Sequence, residues 1–414
     1  MDFSLPTRVA ELLPEIRRFV AERVVPLEAG GLRRPFRQVE PRLAELRREV
    51  RDRGWWMPQV PARWGGMGLS LVEHGLVSAE LGRSPFGHYA FGCQAPDAGN
   101  VEILIDHATA EQQARYLEPL LAGESRSCFA MTEPGRPGSN PTWIDTRAVP
   151  DGDGWRLDGR KWFTSGADGA AFAVVMAVSD PEAARHRRAS LFLVPTDAPG
   201  WELVRNVGVM GHPGDGWASH GEVRLTGCRV GPEALLGERG GGFAIAQERL
   251  GPGRIHHAMR WIGIAERALD LLCRRAAGRE LAPGEPLAAR GPIAEWIAEA
   301  RAEIDAARLA VLHAAWKMDT DGPRAARTEV STVKFHVAGV MLRTVDRAVQ
   351  AHGALGVSDD TVLSWFYAQE RAARIYDGPD EVHKAVVARR VLAAYAGGGG
   401  SDDDRSDGRE GGDP

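Results

Sequence analysis

The run Arg374-Ile375-Tyr376-Asp377-Gly378-Pro379-Asp380-Glu381-Val382-His383 joins two apolar stretches through one carboxylate on a glycine-proline corner. Glycine admits backbone angles closed to other residues and proline suits a helix start, so the corner predicts a last helix beginning at Pro379. Asp380 and Glu381 then fall in its first turn, where the helix dipole favours negative charge. By itself the run reads as a capped helix start with Asp377 as turn chemistry. The other reading is chemistry on the carboxylate, and it depends on what else the chain supplies.

Three other clusters carry groups of the right type. The loop Phe129-Ala130-Met131-Thr132-Glu133-Pro134-Gly135-Arg136-Pro137-Gly138-Ser139-Asn140 is dense in Gly and Pro. Such a loop can turn backbone N–H groups to one side, toward carbonyls or phosphates, or simply cross between domains. The segment Gly159-Arg160-Lys161-Trp162-Phe163-Thr164-Ser165-Gly166 sets large aromatics beside hydroxyls at a strand end. Aromatic faces stack on flat heterocycles; the alternative is a strand with an amphipathic edge. In Gln350-Ala351-His352-Gly353-Ala354-Leu355-Gly356 a helix breaks, either to offer donors to a phosphate or as a glycine cap. Arg254, in Gly251-Pro252-Gly253-Arg254, reads as the opening of a helix. A cation is disfavoured there, which points to a specific partner. His256 and His257 are adjacent and so point apart on a helix, and no HExxH is present, so no metal is expected. GxSxG, P-loop and GxGxxG patterns are absent, which argues against a serine-hydrolase elbow, a P-loop and a Rossmann domain.

The elements that must hold these clusters change character twice. From the start to residue 126 the texture is helical. Val9, Leu12, Leu13, Ile16 and Val20 recur at helical spacing. Pro41 is expected to open a helix ending near Gly54, Ser70 with Glu73 to cap another, and further helices to cover Ala98 to Ile105 and Thr109 to Gly123. Residues 127–241 carry short runs rich in β-branched and aromatic residues: Trp143 to Val149, Trp155 to Phe163, Ala171 to Val178, Ser190 to Pro195, Trp201 to Val207 and Glu222 to Leu225. Turn signals separate them, as expected of a small barrel or sandwich. Residues 242–396 return to long apolar stripes, led by Ile255 to Leu272, Ile293 to Ala315 and Val330 to Val345, which predict a four-helix bundle. The expected fold is thus α+β and multidomain: N-terminal helices, a middle β-barrel-like domain, a C-terminal bundle. Residues 397–414, made of glycine, acids, arginine, serine and one proline, are expected to form a disordered tail.

The 414 residues suffice for more than one domain, and a net charge of −5 gives no reason to expect nucleic acid or an anionic membrane surface. Four scattered cysteines without a CxxC pair, no signal peptide and no long apolar run predict a cytoplasmic chain without membrane spans.

Taken together, these residues resemble the acyl-CoA dehydrogenase family. The Thr-Glu-Pro-Gly loop at 132, the Lys-Trp-Phe-Thr-Ser segment at 161, the Leu-Gly-Glu-Arg-Gly-Gly-Gly-Phe turn at 236 and the Gln-x-x-Gly-x-x-Gly break at 350 come in that family's order, over roughly residues 5 to 395. Cys93-Gln94-Ala95-Pro96-Asp97-Ala98-Gly99-Asn100, Arg249 to His257 and Asp377 to His383 resemble one branch in particular: bacterial relatives of the eukaryotic members fused to a kinase-like domain.

The resemblance implies an FAD enzyme of fatty acid metabolism that converts an acyl thioester to its trans-2-enoyl form. It implies that Asp377, where the family usually has Glu, takes the α-proton, and that Phe129, Met131, Thr132, Gly138, Ser139, Trp162, Phe163 and Thr164 border the flavin. Arg279 falls in the family's adenine-side motif, and Gln350 and Gly353, with Pro379 and Glu381 in this branch, fall where the family reaches the FAD pyrophosphate of a neighbouring subunit. Ser139, Gly251, Arg254 and Gly378 lie on the thioester path. The implied partners are an acyl-CoA or acyl carrier, an electron-transfer flavoprotein as acceptor, and copies of the chain in a homodimer or homotetramer. Two departures stand out. Asp377 is one methylene shorter than the usual base, and Arg279-Glu280-Leu281-Ala282-Pro283-Gly284 departs from the usual Arg to Phe-Gly step. An acyl-CoA oxidase, an enzyme of 4-hydroxyacyl or 4-phosphoryloxyacyl thioesters, and a non-catalytic thioester- or partner-binding protein are the alternative expectations.

Overall fold

A computed structural model describes residues 4–395; the tail expected at 397–414 lies outside the described residues. Eight helices come first: α1 (Thr7–Phe19), α2 (Glu28–Gly31), α3 (Phe36–Asp52), α4 (Leu71–Leu81), α5 (Gly87–Ala90), α6 (Asp97–His107), α7 (Ala110–Gln112) and α8 (Glu118–Ala122). Capping boxes start two of them. Ser70 and Glu73 exchange side-chain and backbone bonds at α4, and Thr109 and Gln112 do so at α7. Pro41 does not open a helix: α3 begins five residues earlier and carries Pro41 on its exposed face. The start is fixed from a distance, since the Phe36 N–H donates to Asp215 at 2.5 Å.

The middle of the chain folds into one eight-stranded sheet in the order β6-β7-β3-β2-β4-β5-β8, with β1 also paired to β4. The strands are β1 (Ser127–Ala130), β2 (Arg147–Asp151), β3 (Gly154–Ser165), β4 (Phe172–Val178), β5 (Ala189–Pro195), β6 (Trp201–Asn206), β7 (His220–Val230) and β8 (Leu235–Leu236). Trp143 to Thr146, expected in a strand, has no regular secondary structure and leads into β2. Strand β4 is buried along its whole length because both faces are covered. Ala173, Val175 and Ala177 face the sheet's own core with Phe192 and Val223, whereas Phe172, Val174 and Met176 pack into the N-terminal helices. The sheet is therefore barrel-like on one side and the floor of the helical domain on the other.

The bundle consists of α9 (Gly242–Gly278), α10 (Gly291–Asp321), α11 (Arg327–His352) and, after the short α12 (Ala354–Val357) and α13 (Val362–Glu370), α14 (Asp380–Ala393). A small hairpin, β9 (Glu280–Ala282) and β10 (Glu285–Pro286), joins α9 to α10 where the sequence departs from the family step. Trp261, Ile262, Ile304, Val337 and Phe366 fill the bundle core, and Ala79 of α4 joins them. That contact places the N-terminal domain against the α9 residues that carry the site.

Candidate active site

Asp377 occupies the left-handed region at φ 55°, and Gly378 follows at φ 101°. Aspartate tolerates that region better than most residues, and glycine reaches it at no steric penalty. Pro379 is extended, with ψ 153°, and so stands just outside α14. The expectation that Pro379 is the first helical residue is thus off by one: it caps a helix that starts at Asp380.

Side chains from four helices pin this corner. The main-chain carbonyl of Asp377 accepts from Arg254 Nε of α9 at 3.2 Å and from His383 Nε2 of α14 at 3.0 Å. A carbonyl only accepts, so His383 carries its proton on Nε2; burial pushes its pKa down to about 4, which keeps the ring neutral. Asp377 Oδ2 lies 3.3 Å from His257 Nε2. Just before it, the Tyr376 hydroxyl accepts from Arg260 at 2.9 Å and Trp261 at 3.0 Å, and Arg260 grips Glu370 of α13 with two bonds of 2.5 and 2.8 Å. Just after it, Asp380 accepts from Arg374 at 2.6 Å, and the fully buried Lys334 of α11 brings its ammonium to 3.8 Å of the other oxygen. The backbone N–H of Asp377 has no acceptor among the described residues. Arg254 sits inside α9, not at its start. Gly251, Pro252 and Gly253 look like breakers, yet the helix runs through them.

On the β side, Glu133 and Lys161 form a buried pair at 2.8 Å, with side chains 4% and 0% exposed. Lys161 also donates to the Met131 carbonyl at 2.9 Å. Glu133 accepts from the Asp145 N–H, the Thr146 N–H and the Thr146 hydroxyl. Burial alone would raise the Glu133 carboxyl; Lys161 and these bonds outweigh it and hold it below its ordinary range. Trp162 N–H donates to Thr132 O at 3.0 Å, so the loop after β1 and the end of β3 are one unit. A register shift with φ 48° at Phe163 turns Phe163 outward and leaves Thr164 fully buried. Thr164 Oγ1 has no hydrogen-bond partner among the described residues. A buried hydroxyl without a partner, beside Trp162 and Thr132, suits a planar heteroatom-bearing ring, so these residues fit a flavin.

Arg249 ties the halves together. Its guanidinium lies 4.3 Å over the Phe129 ring, and it donates to Asn100 Oδ1 at 3.0 Å and Pro96 O at 3.2 Å. Asn100 in turn donates to Ser127 Oγ and Cys128 O. Burial disfavours the Arg249 charge, and Asp377, Glu102 and Asp97 act against that. The Cys93 to Asn100 and Arg249 to His257 runs thus meet at the junction of all three domains.

The expected site residues fall into two sets. Phe129, Met131, Thr132, Trp162 and Thr164 belong to the β unit, and Arg254, Asp377 and Gly378 to the corner that Arg249 joins to it. Gly138 and Ser139 lie exposed on the loop rim, and Gly251 is half-buried on α9. Arg279, Gln350 and Gly353 are exposed at the other end of the bundle, where His352 feels the charge of Arg275. From Lys334, under the corner, to His352 the helix rises about 27 Å. Pro379 and Glu381 stay at the corner. Sequence reasoning assigned no role to Arg249, His257, Lys334 or His383. The available signals were that Arg249 and His257 bound one of the runs that resemble the branch and that His383 closes the same run as Asp377.

The chain matches the domain models of one family along most of its length: the acyl-CoA dehydrogenase N-terminal domain over residues 9–124, middle domain over 128–228 and C-terminal domain over 240–392. It is 42% identical to the Mycobacterium tuberculosis protein named "Probable acyl-CoA dehydrogenase FadE2", covering 95% of this chain and 97% of that one. It is 40% identical to acyl-CoA dehydrogenase family member 10 of Mus musculus, spanning 94% of this chain but only 37% of that longer protein. A solved Mycobacterium abscessus structure assigned to the acyl-CoA dehydrogenases superposes with a TM-score of 0.90 at 40% identity, covering 95% of this chain and all of that one. With three domain models in register and a full-length relative, the protein belongs to the acyl-CoA dehydrogenase family, oxidoreductases whose cofactor is FAD.

Proposed function

We propose that the protein removes the α and β hydrogens of an acyl-CoA, or a carrier-bound acyl thioester, to give the trans-2-enoyl thioester, with Asp377 as the base. The observation that carries this reading is the corner itself. One residue offers a carboxylate and an N–H without an acceptor among the described residues, on a backbone held by side chains of α9 and α14. The carboxylate takes the α-proton while the N–H donates to the thioester carbonyl, where negative charge develops. FAD, when bound, supplies the two-electron acceptor for the β-hydride. Met131, Thr132, Trp162 and Thr164 would hold its ring, with Phe129 and Phe163 beside them. Gly138, Ser139, Gly251, Arg254 and Gly378 would line the thioester path.

Gln350 and Gly353, at the far end of the bundle, are proposed to serve FAD in a second copy, as are Pro379 and Glu381, and Arg279 is proposed to serve the adenine side. Exposed Leu309 and Trp316 on α10 and Val391 and Leu392 on α14 support a homodimer or homotetramer. An electron-transfer flavoprotein is the proposed electron acceptor. No described helix is long and apolar enough to cross a membrane, and all four cysteines are free, which supports a cytoplasmic setting.

One observation favours a second substrate class. Arg249 and Arg254 both act on the Asp377 carboxylate, a local positive potential suited to an oxygenated acyl chain such as a 4-hydroxy or 4-phosphoryloxy thioester. Anaerobic titration of the flavin-loaded protein with acyl-CoAs of graded length and with 4-hydroxyacyl-CoA decides both points. Substrate-dependent loss of flavin absorbance is expected, and its absence with every thioester would sink the dehydrogenase reading. Rapid recovery of the absorbance in air would point to an oxidase.

A further inference from the structure

The adjacent histidines of α9 turn to different neighbours. His256 meets the edge of His74 at 4.3 Å, inside the contact between α4 and α9. His257 points to the corner. Its ring stacks 6.1 Å from Trp261, one turn on, and lies 5.1 Å from Tyr376, with Nε2 3.3 Å from Asp377 Oδ2.

We propose that His257 is a positioning residue for the base: its Nε2–H donates to Asp377 Oδ2 and leaves Oδ1 to face the substrate. This rests on the reading of Asp377 as the proton acceptor. The main chain of Asp377 is already fixed at its carbonyl by Arg254 and His383. Only its two side-chain torsions remain free, and a donor on one carboxylate oxygen removes that freedom. A short base gains most from such a constraint, since it has no further methylene with which to correct a misplacement.

The donor is itself held. Trp261 and Tyr376 flank the ring, and both are tied through the Tyr376 hydroxyl to Arg260 and Glu370. Burial disfavours a charged His257, and Arg260 and Arg249 add to that; Asp377 and Glu370 oppose it. A neutral imidazole orients the carboxylate without giving it a proton, so the base stays able to accept one. A packing role alone would need only a flat ring between Trp261 and Tyr376.

His257→Phe keeps the flat ring and removes the donor; His257→Gln restores a side-chain N–H. The expected result is that His257→Phe slows anaerobic flavin reduction at saturating acyl-CoA by about 10- to 100-fold, with flavin content and half-saturating substrate nearly unchanged, and that His257→Gln recovers much of the rate. Reduction of His257→Phe at the parent rate would overturn the proposal. A second readout needs neither substrate nor turnover. In protein labelled with ¹⁵N-histidine, the resonances lost in His257→Gln should report a ring protonated at Nε2 and shift in Asp377→Ala. Resonances unmoved by Asp377→Ala would also overturn it. If no thioester bleaches the parent protein, the dehydrogenase reading falls, while the nuclear resonance comparison still decides whether His257 and Asp377 are paired.

Discussion

His383 reaches back from the first turns of α14 to donate its Nε2 proton to the carbonyl of Asp377, 3.0 Å away. The two residues close a ring over Gly378. A Cβ on Gly378 would lie 2.8 Å from His383 Nε2. This explains Asp-Gly-Pro-Asp-Glu-Val-His as one device. Aspartate accepts the left-handed backbone, glycine gives room for the histidine, proline ends the turn, and the buried Asp380 carboxylate anchors the new helix on Arg374.

Gly378→Ala should therefore act on the corner before the fold. The left-handed angle and the clash together cost about 1–3 kcal/mol, absorbed by moving His383 or the Asp377 peptide. Substrate-dependent flavin reduction is expected to fall by at least ~10-fold, with flavin retained and helical circular dichroism unchanged. Equal reduction rates in Gly378→Ala and the parent would show that the His383 contact does not aim the carboxylate.

The buried Glu133–Lys161 pair holds the loop that carries Met131 and Thr132. Lys161→Met leaves the buried Glu133 carboxylate without its paired cation and should destabilise the protein by about 3–5 kcal/mol in denaturant unfolding. The double variant Lys161→Met, Glu133→Gln is expected to be less damaged than the sum of the two single changes. Additive losses would mean that the two side chains are not coupled.

Histidines buried as neutral rings make the fold sensitive to acid. Burial depresses His74 and His88 well below 6.5 and His256 to about 3, and neither ring nitrogen of His74 has a hydrogen-bond partner among the described residues. Above pH 6.5 these rings are neutral in both states and contribute no pH dependence. As pH falls below 6.5 the unfolded chain binds protons that the folded one refuses, so stability drops, by up to ~1.4 kcal/mol per pH unit for each ring. The unfolding midpoint should therefore fall between pH 6.5 and 5, and His74→Leu should flatten the slope. An identical slope in His74→Leu would remove that ring from the cause.

The order of helices, strands and bundle was legible because period and composition change near residues 127 and 242, and the start of the last helix because glycine and proline mark its corner. Less of the site's support was legible, since it is non-local. The N-termini of α3 and α4 are held by Asp215 and Asp319, from the β domain and from α10. No local pattern announces such caps. Arg254 was misplaced because Gly-Pro-Gly ordinarily ends a helix, whereas packing of α9 against α4, α10 and α11 carries it through. His257 looks like any helical histidine until Asp377, far along the chain, folds onto it.

Thr164 gives a test in which two effects have opposite signs. Its hydroxyl is buried and unpartnered among the described residues, and valine has nearly the same shape without the polar atom. In protein stripped of flavin, Thr164→Val should be as stable as the parent or up to ~1 kcal/mol more so, because an unsatisfied buried oxygen is removed. In flavin-loaded protein the same change should weaken flavin retention and slow anaerobic reduction, because a contact to the ring is lost. Thermal unfolding with and without added FAD measures both. A variant that gains stability in the stripped form yet keeps the parent's flavin-dependent shift in midpoint would show that the Thr164 hydroxyl does not face the cofactor.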